Sequence, residues 1–303
     1  MNLASKPGTD YSSNMEDSFR PNSIVIINCV LNAPLILISI VGNTLVLASI
    51  LRCPSLRSAS TVLLCSLATS DFTVGFVVQP LYIAFKLTGN LPLYKALSVM
   101  AAAGTGVSLL VMTAISVDRL LALHYHMRYP SLMTMHRAIY TSVTLWLIVC
   151  LLSLLFLWKM RVYYLTAAII IVTCLLVSTG CYIQIYRIVR QHQLQIHAQR
   201  QAVEILNSRA DQDMQQVKKS AKNTFIYYVV MILCYSPSFI SMLILSISPN
   251  HWTNIWGLTD TVAFMNSSIN PFLYCWRICE LRKAVVKTAR DILCKQSVAN
   301  PLT

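Results

Sequence analysis

The sequence predicts an all-α membrane protein: a seven-transmembrane helix bundle followed by a short amphipathic eighth helix. Three observations predict it. The chain of 303 residues is 56% hydrophobic and only 12% charged, whereas soluble chains carry roughly 25% charged residues. Its apolar residues gather into seven runs, at about 24–51, 59–86, 95–124, 138–158, 163–190, 222–247 and 253–275. Each approaches or exceeds the ~20 residues needed to cross a hydrocarbon core. Its basic residues crowd one set of alternate joints, as the flanks of a multi-pass protein do.

The first 23 residues are polar and lack the apolar core of a cleaved signal peptide, so the first run is expected to insert itself. With the amino terminus outside, all 24 basic residues except Lys6, Arg20, Lys86, Lys95, Lys159 and Arg161 fall on the inner side. The expected topology is therefore an extracellular tail over 1–23, a seven-span domain over 24–275 and a cytoplasmic helix and tail over 276–303, in the plasma membrane. The net charge of +13 follows from that topology and adds attraction to inner-leaflet lipid. It lends no support to nucleic-acid binding.

Runs four and five are joined only by about Lys159 to Val162. The longest joint, about Gln191 to Ala221, is rich in Gln and mixed charge, with sparse apolar positions at Ile196, Val203, Leu206 and Val217. It is expected to extend a helix and then become a mobile loop. From Arg277 to Leu293 basic residues alternate with Ile278, Leu281, Val285, Ala289 and Ile292, the pattern of an amphipathic helix on the inner leaflet. Cys294 at its end is either a palmitoylation site or a plain thiol. All ten cysteines fall in the runs or on the inner side, so no extracellular disulfide framework is expected. No CxxC or His-rich zinc spacing occurs. The Asn266 sequon lies inside the seventh run and is expected to stay unglycosylated.

Asp71 lies near the middle of the second run. An ionisable group at that depth is costly and normally faces the bundle interior with a partner. Asn43, Ser108, Asn266, Ser267 and Asn270 are the candidates to meet it, and 266, 267 and 270 share one helical face. A carboxylate ringed by hydroxyl and amide oxygens makes a hard-cation site suited to an allosteric sodium ion. The alternative is a protonated Asp71 in a neutral hydrogen-bond network. No other cofactor is expected.

Pro34, Pro80, Pro237 and Pro271 lie inside runs, where each removes an intrahelical bond. Polar neighbours, Cys234-Tyr235-Ser236 before one and Asn270 before another, make Pro237 and Pro271 the candidates for moving hinges. Asp118-Arg119 closes the third run. Tyr182 and Tyr274 lie at the same depth, within reach of an arginine swung between them.

On these residues the chain resembles a rhodopsin-like G-protein-coupled receptor over nearly its whole length. The matching motifs are Gly42-Asn43, Leu67-Ala68-Thr69-Ser70-Asp71, Asp118-Arg119-Leu120, Trp146, Tyr182, Cys234-Tyr235-Ser236-Pro237 and Asn270-Pro271-Phe272-Leu273-Tyr274. The resemblance implies an extracellular ligand, outward movement of the sixth span and nucleotide exchange on a heterotrimeric G protein. It implies that Arg119 contacts the G protein, that Tyr182 and Tyr274 hold the active state, and that Asp71, Ser108, Asn266, Ser267 and Asn270 form a sodium site. Within the family the chain is most similar to the melanocortin and adenosine receptors. The carriers are His126-Met127-Arg128-Tyr129-Pro130-Ser131-Leu132-Met133-Thr134, Glu280-Leu281-Arg282-Lys283, Cys174 in place of a fifth-span proline, and a minimal second outer loop.

Several positions depart from the family. The acidic cluster that binds melanocortin peptides is replaced by Leu81, Tyr94 and Ser98. Ala101 stands where amine receptors have aspartate, and Phe264 where opsins have the retinal lysine. Leu120 replaces the tyrosine after Asp118-Arg119, Tyr235 the usual tryptophan, and Tyr94 the usual disulfide cysteine. Val217 removes the acid that would face Arg119. The ligand class therefore stays open.

A membrane transporter is the competing reading, but it would show internal repeats and paired broken helices. A membrane enzyme would need a catalytic constellation, and neither HExxH nor G-x-S-x-G occurs. Asp260 is the only acid in the outer half of a run. Positions 260, 264, 267 and 271 repeat at helical spacing, which sets Asp260 above Ser267. It is either a rim charge paired with Lys86, Lys95 or Arg161, or the anchor of a ligand pocket completed by Tyr82, Ala101, Thr105, Phe239 and Phe264.

Overall fold

The computed structural model describes residues 23–125, 128–202, 207–247 and 255–298. The expected tail before Ser23 and the first two residues of the His126–Thr134 stretch lie outside them. The described residues fold as helix α1 (Ser23–Arg52), α2 (Ala59–Thr88), α3 (Leu91–His124), α4 (Met135–Trp158), α5 (Met160–Ala202), α6 (Asn207–Ile247), α7 (Ile255–Arg277) and α8 (Cys279–Val298), and contain no strand. Helices α1 to α6 are each long and apolar enough to cross a membrane. α7 is long enough but more polar, and its Asn266, Ser267, Ser268 and Asn270 are all buried. This is an all-α membrane bundle of seven spans with an eighth helix.

Burial in the bundle is inverted relative to a soluble protein. On α1 the residues turned inward are Asn28, Asn32, Ser39 and Asn43, while Ile27, Leu31, Leu37 and Val41 are exposed. Polar groups satisfied between helices and apolar groups turned outward are what a lipid solvent selects.

Helix ends follow local chemistry. Ser58, Asn90 and Thr134 cap α2, α3 and α4, accepting from the N–H groups of Thr61, Leu93 and Arg137. Gly89 ends α2 with φ 65°, a left-handed conformation that glycine adopts without a Cβ penalty. Within α2, Val74–Val78 form a π-turn just before Pro80, where the wider turn accommodates the proline ring. Helices also approach closely: a Cβ on Gly42 of α1 would stand 2.8 Å from the ring of Pro271 on α7. α4 is tied to α2 by Trp146 Nε1, which donates to Ser66 Oγ at 3.1 Å.

The long joint differs from expectation. α5 continues to Ala202 and α6 already begins at Asn207, so helix covers most of the joint expected as a mobile loop, and 203–206 lie outside the described residues. Gln, Lys, Arg, Met and Ala dominate this stretch, and their intrinsic helix preference extends both helices beyond the apolar spans. α8 buries Leu281, Ala284 and Thr288 and packs against α1, so it is seated on the bundle. The side chain of Cys294 lies outside the described ones.

Candidate functional site

A column of polar residues runs through the bundle from its Thr88–Leu91 end to its α8 end. Two adjoining cavities occupy the first part. The deeper, about 130 Å³, is lined by Ala101, Thr105, Tyr163, Tyr235, Ser238, Asp260 and Phe264. Beyond it a second, about 90 Å³, is lined by Tyr82, Lys86, Tyr94, Ser98, Tyr163, Asp260 and Phe264. The expected pocket residues Ala101, Thr105, Tyr82, Asp260 and Phe264 are thus brought together. Phe239 is the exception and lines neither cavity. Tyr235, Ser238 and Met242 present the cavity face of α6; Phe239 lies about 100° further round the helix and packs against the main apolar core.

Beside these cavities is a clasp that the sequence reading missed. Asn28 Nδ2 donates to the Tyr82 hydroxyl at 2.7 Å, which donates to Gly257 O at 2.8 Å. Asn32 Nδ2 donates to Thr261 Oγ1 at 2.8 Å and accepts from Gln79 Nε2 at 3.3 Å. Thr261 in turn donates to Asn28. Three helices, α1, α2 and α7, are joined by side chains that are each buried. The four-residue spacing of Asn28 and Asn32 in an apolar run was the available signal.

Tyr235 forms the floor of the deeper cavity. Its hydroxyl donates to Thr105 O at 3.2 Å and accepts from Asn266 Nδ2 at 3.4 Å, linking α6 to α3 and α7. One turn along α7, Asn270 Nδ2 donates to Asp71 Oδ2 at 2.8 Å, and Ser108 Oγ donates to Asp71 Oδ1 at 2.8 Å. Ser267 also bonds the carboxylate, and Ser70 bonds Ser108 at 2.9 Å. Asn43 and Asn266 do not join this shell. Asn43 donates to Ser39 O and Ser267 O. Asn266 stands a turn away from Asn270, at the depth of Tyr235 and Met112. The side-chain oxygens of Asn43, Asn266 and Asn270 are buried without a hydrogen-bond partner.

At the α8 end Asp118 is buried and Arg119 Nη2 lies 2.9 Å from its Oδ2. Asp118 also accepts from Ser60 Oγ at 2.9 Å and from the Tyr129 hydroxyl at 2.6 Å. Burial and then this bond push the Tyr129 phenol above its ordinary pKa. Asp118 is therefore clamped from α2 and from the turn after α3, and is no loose surface partner. Neither Ser60 nor Tyr129 was expected beside Asp118, because only the fold brings them there.

Neither expected tyrosine bonds Arg119 here, among the described residues. Tyr182 stacks on Tyr228 with centroids 5.3 Å apart, and Tyr274 stacks on Tyr227 at 6.0 Å with its hydroxyl unpartnered. The partners of both, Tyr228 and Tyr227, line a small cavity with Arg119 and Arg277. Pro237 and Pro271 lie inside α6 and α7.

The model of one family, the 7 transmembrane receptor (rhodopsin family), matches residues 42–164 and 156–274. Those residues include every helix of the column, from the Asp260 cavities through Asp71 to Arg119. The chain belongs to the rhodopsin family of seven-transmembrane receptors, multi-pass plasma-membrane proteins that signal and are not enzymes.

Proposed function

We propose that this receptor binds an extracellular ligand in the cavities around Asp260 and drives nucleotide exchange on a heterotrimeric G protein at its α8 end. The observation that carries the reading is Tyr235. It is at once cavity floor and hydrogen-bond partner of α3 and α7, so a ligand pressing on it acts on α6 directly. In this reading the amino terminus is outside, residues 1–23 form an extracellular tail, 24–275 the receptor domain and 276–303 a cytoplasmic helix and tail. Cys294 is a candidate lipid attachment point there. In this reading the chain is of the melanocortin and adenosine receptor branch, on the likeness of His126–Thr134 and Glu280–Lys283. Leu81, Tyr94 and Ser98 argue against a melanocortin peptide as ligand.

At rest Asp118 holds Arg119. Its carboxylate charge, more than its two hydroxyl bonds, is what restrains the guanidinium. Asp118→Asn keeps the shape and removes the charge, so ligand-free nucleotide exchange should rise severalfold. Because Val217 supplies no second acid, wild type should already show measurable basal exchange. Basal exchange in Asp118→Asn no higher than wild type would remove the restraint and the coupling role built on it.

The Asp71 shell fits sodium. One carboxylate, two serine hydroxyls and the buried, unpartnered amide oxygen of Asn270 form a hard, singly charged oxygen set. Asp71, Ser108, Ser267 and Asn270 would hold the ion, which supplies a positive charge that favours the state with the tighter shell. Raising sodium should lower basal exchange in wild type and change little in Asp71→Asn. Equal sodium sensitivity in both proteins would leave the neutral hydrogen-bond network as the explanation.

A further inference from the structure

The two cavities differ in what they offer a ligand. The deeper one is walled mainly by apolar and aromatic side chains, among them Leu109, Val149, Ile170 and Phe264. At about 130 Å³ it is close to the roughly 150 Å³ apolar cavity that holds one benzene molecule. It has room for a single aromatic ring. Asp260 stands on the wall that both cavities share, and Lys86 lines only the outer one. A path outward from the ring space therefore meets a carboxylate first and an ammonium second.

Lys86 is held in place. Its Nζ lies 5.4 Å from the ring centroid of Tyr82 and 5.8 Å from that of Phe85. A Cβ on Gly257 would come within 3.1 Å of it, so the missing side chain on α7 makes room for the ammonium. An ammonium carries three N–H donors, so bonds inside the bundle and one to a ligand coexist. An amine alone would answer Asp260 and leave its own body beside a second positive charge. An acid alone would answer Lys86 and face a carboxylate. Charges brought out of water are tolerated when each finds its partner.

We propose that the ligand is a small zwitterion built on one aromatic ring, of the α-amino-acid type, with its ring in the deeper cavity, its ammonium on Asp260 and its carboxylate on Lys86. This rests on reading the Asp260 cavities as the ligand site. An ammonium and a carboxylate borne on one carbon match two opposite charges met in succession along one wall. The alternative, in which Lys86 and Asp260 only neutralise each other, would favour an uncharged ligand.

The test uses three probes that differ only in charge: L-phenylalanine, 2-phenylethylamine and 3-phenylpropionate. Their binding to purified full-length receptor in lipid nanodiscs is measured directly, and nucleotide exchange separately. Wild type should bind L-phenylalanine on the order of tenfold or more tighter than either analogue. Lys86→Gln should invert the order in favour of the amine, and Asp260→Asn in favour of the acid. Each order is read within one protein, so a variant that is partly unfolded does not mimic an inversion. Equal binding of the amine and L-phenylalanine by wild type would overturn the proposal. So would an unchanged order in Lys86→Gln, or no binding of any probe. Exchange driven equally well by the amine would sink the zwitterion and leave the receptor reading standing. Binding in the expected order with no exchange response would do the reverse.

Discussion

Arg119→Ala is expected to reduce G-protein nucleotide exchange to the unstimulated background while leaving the amount of receptor at the cell surface unchanged. The separation follows from how the α8 end is built. When the guanidinium goes, Asp118 still accepts from Ser60 and Tyr129, at 2.9 and 2.6 Å, so its buried carboxylate is not left bare. Function loses far more. Arg119 is 29% exposed, its Nε has no partner, and it lines a small cavity with Met112, Tyr227 and Met231. That placement gives a planar five-donor group poised to leave one carboxylate for acceptors on a docked protein. Arg119→Lys keeps the charge without the fork and should recover only part of the activity. Exchange assays on membranes with matched receptor content decide the matter. Normal exchange by Arg119→Ala would refute the role.

The spans were legible because lipid imposes a length: ~20 apolar residues must run together. The inner extension of α6 was not legible by that rule. Asn207 onward is polar, and polarity there reads as loop unless helix preference is weighed separately. The interior was only partly legible. Asp71 announces itself as a charge at depth, and Asn270 as its nearest amide on α7. Whether Asn43 or Asn266 also reaches it depends on fractions of a helical turn, which spacing does not resolve. Asn28, Asn32, Gln79 and Thr261 were missed for a related reason. Each is an uncharged polar residue in a largely apolar run, and only the meeting of α1, α2 and α7 shows which partner it finds. Phe239 shows the opposite error. It stands next to a cavity residue in sequence and a third of a turn away in space.

Asp260→Asn is expected to weaken agonist potency about 10- to 150-fold, the loss of one charge-assisted bond worth about 1.5–3 kcal/mol. Asp260 is half-buried and lines both cavities, whereas Lys95 and Arg161 are exposed and line neither. That leaves Lys86 as the basic residue on its own wall, and the charges of the two act on one another. Asparagine keeps the size and one oxygen but not the charge, so a ligand ammonium would lose its counter-ion in a cavity shielded from water. The positive charge of Lys86 would then act on the same group without the opposing carboxylate of Asp260. Both effects act on binding, and neither touches Tyr235 or the Asp71 shell below. Basal exchange and its response to sodium should therefore match wild type while the dose–response curve moves to higher concentration. L-phenylalanine is the first agonist to use in that comparison. A shift below about threefold, ~0.6 kcal/mol, at equal surface amount would return Asp260 to the rim and leave the cavities without a charged anchor on α7.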